Sequence, residues 1–174
     1  EDNIDITVEG CTVNTLRDNR GNLTAKDGRR IVLKGQITEL ICEGTPTNHG
    51  AITALNVQDL TKLKKLNCYS NQLTALNVQG CTALEELQCA SNQLPELNVS
   101  GLHALQTLDC SYNKTSTNKK TLTKLIVSDL PALQKLNCTG NNLTELDVQG
   151  LTKLERLLCS QNNLTALNLS LIHI

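Results

Sequence analysis

Residues 63–78 read LKKLNCYSNQLTALNV, and after the short bridge Gln79–Ala83 the same order of apolar slots starts again at Leu84. Leu63, Leu66, Cys68, Asn71, Leu73, Leu76 and Val78 recur 21 residues later as Leu84, Leu87, Cys89, Asn92, Leu94, Leu97 and Val99. Leu105, Leu108, Cys110 and Asn113 continue the frame, which resumes after an insertion at Leu122, Leu125 and Val127. Two further units run from Leu133 through Cys138 and Asn141 to Val148, and from Leu154 through Cys159 and Asn162 to Leu169. Two Cys intervals exceed 21: Cys42 to Cys68 is 26 and Cys110 to Cys138 is 28. The frame is kept on either side of each, so the surplus residues are insertions, placed at 43–51 and 114–121.

The spacing has a direct physical reading. Leu66 and Cys68 are two apart, so on a short extended strand both point to one side, as do Leu76 and Val78 on the return path. One 21-residue coil cannot bury that face alone. Coils stacked about 4.8 Å apart make a continuous core, in which each buried Leu is worth on the order of 1.5–3 kcal/mol. The expected fold is an α/β-type, mostly β solenoid: a right-handed superhelix with a parallel β-sheet on the concave face. Gaps such as Gln79–Ala83 are too short for a long helix, so short 3₁₀ or extended segments are expected on the convex face.

Composition agrees with such a core. The 174 residues include 32 Leu and no Trp, Phe or Met, and the aromatics are Tyr69 and Tyr112 alone. Uniform mid-sized aliphatics suit slots that repeat. A net charge of -1 gives no overall basic field for nucleic acid, and two aromatics give no platform for stacking bases. No apolar run approaches the roughly 18–20 residues of a membrane span, so membrane insertion is not expected.

The frame LxxLxCxxNxL is the leucine-rich repeat signature. With Cys at the second inward strand position and a 21-residue period, it resembles the cysteine-ladder repeats of the internalin J type. The phrase LTALNVQGCTALEELQCASNQ is similar to secreted leucine-rich repeat proteins of Bacteroidetes-type bacteria. The resemblance covers about residues 37–170 and carries no shared catalytic residues. It implies a bacterial extracellular or cell-surface scaffold for adhesion or protein binding. The helical N-terminal cap and cell-wall anchoring signals of the Listeria members have no counterpart in this sequence.

Outside the repeats, residues 1–36 alternate Ile4, Ile6 and Val8 with polar residues and carry turn signals at Asp18–Gly21 and Lys26–Gly28, which predicts a β-type N-terminal cap. The solenoid is placed at 37–170, as about six coils. Residues 171–174 leave the frame without a polar capping coil, which reads as the end of a fragment.

The cysteines fall into one repeated slot. Cys42, Cys68, Cys89, Cys110, Cys138 and Cys159 share an inward position, where parallel Cβ vectors about 4.8 Å apart exceed the roughly 3.8 Å of a disulfide. They are expected to be buried free thiols, as is Cys81 in a Leu slot; Cys11 has no assignable partner. The Asn column at 71, 92, 113, 141 and 162 is expected to serve backbone groups of adjacent coils. Neither set suggests a metal site, and no cofactor is expected. His49, His103 and His173 are scattered, and no nucleophile-elbow, HExxH or phosphate-loop pattern occurs, so no enzyme is expected.

The remaining candidates point outward. On the sheet they are Lys65, Asn67, Tyr69, Glu86, Gln88, Thr107, Asp109, Lys135, Asn137 and Arg156; Lys114, Lys119 and Lys120 sit in the second insertion. Both insertions follow a Cys, so they are expected to leave the solenoid on one edge, about 14 Å apart, and to form a rim with the strip. The expected partner is a protein or a glycan. The alternative is a structural spacer within a larger multidomain secreted protein.

Overall fold

The protein is represented by a computed structural model that describes residues 6–9, 15–16, 32–34, 37–44 and 52–168. The chain forms two compact units, Glu1–Thr38 and Glu39–Ile174. Cys11, the two N-terminal turns, residues 45–51 with His49, and the tail 171–174 with His173 lie outside the described residues.

In the first unit β1 (Ile6–Glu9) is flanked antiparallel by β2 (Thr15–Leu16) and β3 (Val32–Lys34), with Ile6 opposite Leu16 and Val8 opposite Leu33. The alternation read from Ile6 and Val8 is therefore a real strand pattern.

The second unit alternates sheet strands with return strands. In chain order they are β4 (Glu39–Ile41), β5 (Ala54–Asn56), β6 (Lys65–Asn67), β7 (Ala75–Asn77), β8 (Glu86–Gln88), β9 (Glu96–Asn98), β10 (Thr107–Asp109), β11 (Lys124–Ile126), β12 (Lys135–Asn137), β13 (Glu145–Asp147), β14 (Arg156–Leu158) and β15 (Ala166–Asn168). The even strands from β4 to β14 form one six-stranded parallel sheet in strict order, with Leu66, Leu87, Leu108, Leu136 and Leu157 in one register row. Return strands pair two by two, β5 with β7, β9 with β11, and β13 with β15. Where Thr74, Thr123 and Thr165 donate a backbone N–H to the coil before, the matching position in β9's coil is Pro95, which has none. The ladder between β7 and β9 is interrupted there.

The inward slots are filled as the spacing requires. Leu63, Leu84, Leu105 and Leu133, with Cys68, Cys89, Cys110 and Cys138, are fully buried, and so are Val78, Val99 and Val148 on the return side. Between a return strand and the next sheet strand the chain makes two i to i+3 turns, such as Val78 O to Cys81 N and Cys81 O to Leu84 N. The convex-side reading of 3₁₀ or extended backbone thus takes the form of extended strands joined by such turns.

From β5 to β14 the chain places a left-handed residue at both corners of the coil. After the sheet strands these are Ser70, Ser91, Tyr112, Gly140 and Gln161; after the return strands, Asp59, Gly80, Gly101, Asp129 and Gly150. Most are not glycine, and an L side chain there costs roughly 1–2 kcal/mol. At Gly80 a Cβ would also displace the Asp59 carboxylate, whose Oδ1 would lie 2.1 Å away.

The Asn column follows the first corner and ties coil to coil. Asn92 donates from Nδ2 to Cys68 O (2.9 Å) and Cys89 O (3.2 Å), while its Oδ1 accepts from Leu73 N (3.0 Å). Asn141 and Asn162 repeat the double donation, to Cys110 and Cys138 and to Cys138 and Cys159. One amide therefore satisfies two carbonyls and one N–H that the turning chain leaves without ladder partners.

All seven described cysteines are free thiols. Burial raises the pKa of Cys42 to about 11 and of Cys138 to about 12, and holds Cys68, Cys89 and Cys110 far above an ordinary thiol. The raised folded-state pKa means that the neutral thiols stabilise the fold fully below the unfolded pKa of about 8.5, and that this contribution is lost as pH rises above it. Urea unfolding under reducing conditions is expected to be flat to about pH 7.5. By about pH 9.5 stability falls by on the order of 1 kcal/mol for each of the strongly buried thiols Cys68, Cys89, Cys110 and Cys138. Replacing Cys89 with Ala is expected to shrink that fall by one such increment; an unchanged fall would contradict the buried-thiol account.

Candidate functional site

The outward face of the six-stranded sheet is built from three rows. The first, at the strand starts, runs Glu39, Lys65, Glu86, Thr107, Lys135, Arg156 in strand order, and the second runs Ile41, Asn67, Gln88, Asp109, Asn137, Leu158. The third lies two residues past each strand and includes Glu43, Tyr69, Ser111, Thr139 and Ser160. The structure thus brings the ten sheet-strip candidates onto one surface.

The middle row divides into residues tied to the backbone and residues that are not. Asn67, Asp109 and Asn137 each accept, through Oδ1, the N–H of the residue two further on, at 3.0, 3.0 and 3.2 Å. This local turn ends the strand. Asp109 also accepts from Ser111 Oγ (2.6 Å) and Asn137 Nδ2 (3.2 Å). Asn56, Asn77, Asn98 and Asp147 close the return strands in the same way. The strand-end carboxamides and carboxylates were visible in the sequence, but their capping role was missed because the frame drew attention to the Leu and Cys slots.

The first row is freer. Lys65 sits 3.6 Å from Glu86, whose other oxygen accepts from Gln88 Nε2 (2.6 Å). Thr107 is half-buried, and Lys135 and Arg156 are exposed, adjacent in register, and make no ion pair among the described residues. Between β4 and β8 the face has a shallow depression of about 110 Å³, lined by Glu39, Ile41, Lys65, Asn67, Glu86 and Gln88. Ile41 (59% exposed) and Leu158 (39%) stand at opposite ends of the middle row.

The second insertion is a small hairpin on the edge. Lys114 and Lys120 bridge antiparallel, and Thr115 closes the tip by accepting from Asn118 N and donating its N–H to Lys119 O. Lys114 Nζ lies 5.8 Å from the centre of the Tyr112 ring, Lys119 is exposed, and Lys120 Nζ donates to Gln161 O, so the hairpin spans two coils. Tyr112 is itself half-exposed and packs on Gly140, where a Cβ would fall 2.5 Å from its ring. Sequence reading favoured Tyr69 and passed over Tyr112; the Gly140 that lets the ring lie down was the available signal. The rim expected from both insertions involves residues 45–51, outside the described set.

Among the described residues no group of three or more His, Cys, Asp or Glu is placed to hold a metal ion. His103 Nε2 lies 2.8 Å from Asp129 Oδ2 on an exposed corner, with no nucleophile in the pair. No helix among the described residues is long and apolar enough to cross a membrane.

No protein-family model matches the chain, and no curated protein matches it. Among solved structures, the functional domain of InlJ from Listeria monocytogenes, described as including a cysteine ladder, matches with a TM-score of 0.61 and 37% identity over 76% of this chain. The repeat region is an internalin-like leucine-rich repeat solenoid with a cysteine ladder. This chain spans 32% of the length of that InlJ structure.

Within the internalin-like solenoid, the outward residues therefore differ in what their loss would do. Asp109→Ala strands the Ser111 N–H and is expected to lower stability by about 1–2 kcal/mol. Lys135→Ala and Arg156→Ala are expected to stay within about 0.5 kcal/mol. Urea unfolding separates the two outcomes, and equal losses at all three positions would contradict the division.

Proposed function

We propose that the chain is a non-catalytic protein-interaction module of a secreted or surface bacterial protein, and that it engages its partner through the outward face of the six-stranded sheet. One observation carries the reading. Every repeated polar or thiol group at an inward slot is used by the stack, while the first outward row, from Glu39 to Arg156, changes residue type from coil to coil on an unchanged backbone. Adhesion is the finer form of this role, and a glycan is the second class of ligand. Lys65, Tyr69 and Lys135 are the residues that would contribute, with the Lys114–Lys120 hairpin and its neighbour Tyr112 as a flanking edge.

The test is a binding panel of purified extracellular proteins and glycans, read by biolayer interferometry at micromolar protein. The chain carrying Lys65→Ala, Tyr69→Ala and Lys135→Ala is compared with a control altered at the exposed corner residues Thr152 and Lys153. A ligand held by the parent and the control, and weakened at least about tenfold by the face variant with unchanged thermal unfolding, supports the reading. No ligand in the panel, or one indifferent to the face variant, counts against it. A spacer would bind nothing through this surface.

A further inference from the structure

The outward face divides its charge unevenly along the solenoid, in a way that neither the repeat nor the stacking requires. Over β4, β6 and β8 its three rows carry Glu39, Glu43 and Glu86 against Lys65 alone. Over β10, β12 and β14 they carry Lys135 and Arg156 at the strand starts. The one carboxylate in those nine positions is Asp109, which already accepts from Ser111 N, Ser111 Oγ and Asn137 Nδ2. At the opposite edge of the same strands the hairpin adds Lys114, Lys119 and Lys120, and no acidic residue occurs from 110 to 128. None of these five cations makes an ion pair among the described residues. Lys120 Nζ donates to Gln161 O, a carbonyl that fixes the ammonium beside the β14 coil without neutralising it. A chain of net charge -1 thus gathers five cations without a carboxylate partner around three strands.

We propose that this end of the face binds an acidic segment of a partner protein, laid in extended form along the solenoid axis between the two lines of cations. Lys135 and Thr139 are four residues apart, so the strand starts lie about 13 Å from the edge where the hairpin stands, and the three strands span about 10 Å. Successive side chains of an extended chain point to opposite sides, at about 3.3 Å per residue. Consecutive Asp or Glu residues therefore reach Lys135 and Arg156 on one side and the hairpin lysines on the other. A run of roughly four covers the three strands. Between the two lines, Asp109 calls for donors rather than further anions, and a peptide backbone carries an N–H at every residue between its acidic side chains. That favours an acidic peptide over an anionic polysaccharide.

The exposure of the five cations sets the strength. Exposed ion pairs are individually weak and screened by salt, so they steer encounter and select the partner more than they hold it tightly. For the acidic segment alone a Kd of roughly 10–300 µM at low salt is expected. The inference rests on the sheet face being an interaction surface, and names an acidic protein segment as what occupies its β10–β14 end.

Fluorescence anisotropy of a labelled deca-glutamate peptide, titrated with the 174-residue chain, tests it. The parent is expected to bind at about 0.05 M salt and at least about tenfold more weakly at about 0.5 M. A peptide of alternating Glu and Ser with the same number of carboxylates offers acids to one side only, and is expected to bind at least about threefold more weakly. Lys135→Glu with Arg156→Glu, and separately Lys114→Glu with Lys119→Glu, are each expected to weaken binding at least about tenfold while thermal unfolding is kept. A Glu pair that loses thermal stability is read through the corresponding Gln pair, expected to weaken binding about threefold or more. Lys62→Glu with Lys153→Glu makes the same change in net charge at exposed corners, and is expected to stay within about twofold. A parent that does not bind the peptide, or a corner control that loses as much as the two altered pairs, overturns the assignment. So does a heparin octasaccharide that binds as tightly as the peptide and is lost with the same pairs, which makes the ligand an anionic polysaccharide. A panel ligand that needs Lys65, Tyr69 and Lys135, with no binding of the acidic peptide, leaves the proposed function standing and removes this inference alone. Peptide binding lost at both pairs, with no panel ligand, does the reverse.

Discussion

Every coil of this solenoid must turn twice, and each turn takes backbone N–H and C=O groups out of the parallel ladder. The structure depends on giving those groups partners. An unmade hydrogen bond at a buried group costs about 1–3 kcal/mol, and the stack repeats the problem in every coil. The Asn column solves it after the sheet strand with one side chain that reaches both its own coil and the one before, as Asn92 does with Cys89 and Cys68. Because each amide spans two coils, it also fixes their register, and that register places Leu66, Leu87, Leu108 and Leu136 in one row and the outward residues in theirs.

The cysteine column follows from the same geometry. It stands one residue beyond the strand, where its N–H still donates to the next coil, as Cys68 N does to Gln88 O and Cys89 N to Asp109 O. The space between coils at that point takes a small side chain, and burial keeps the thiols neutral. Nucleophilic or metal-ligand chemistry needs the thiolate, so the column is packing material. With the inward polar groups committed, the sheet face and the hairpin edge are the surfaces to which the proposed recognition is assigned.

Much of this was legible in the sequence. The 21-residue return of Leu63, Leu66, Cys68 and Asn71 gave the strands, the inward slots and the parallel order, because a side chain's direction on a short strand depends on spacing alone. Less legible were the corners: Ser70, Ser91, Tyr112, Gly140 and Gln161 share one left-handed position, yet no single residue type marks it. The strand-end turns at Asn67, Asp109 and Asn137 were also hidden, since a capping side chain and a solvated one look alike in a sequence. Of the candidate site, the membership of the face could be read from alternation. Which of its residues are held, as Asp109 is by Ser111 and Asn137, depends on neighbours one coil away.

The tie made by the Asn column is the central claim, and native-state hydrogen exchange reads it amide by amide. The N–H groups of Leu73, Leu94 and Leu143 donate to the side-chain oxygens of Asn92, Asn113 and Asn162 at 3.0, 3.0 and 3.1 Å. If those side chains hold the stack, the Leu73 and Leu94 amides exchange only with the same free energy as sheet amides such as Cys89 and Cys110, through cooperative opening. Exchange of Leu73 and Leu94 many-fold faster than those sheet amides, under conditions where the sheet stays protected, would contradict the account.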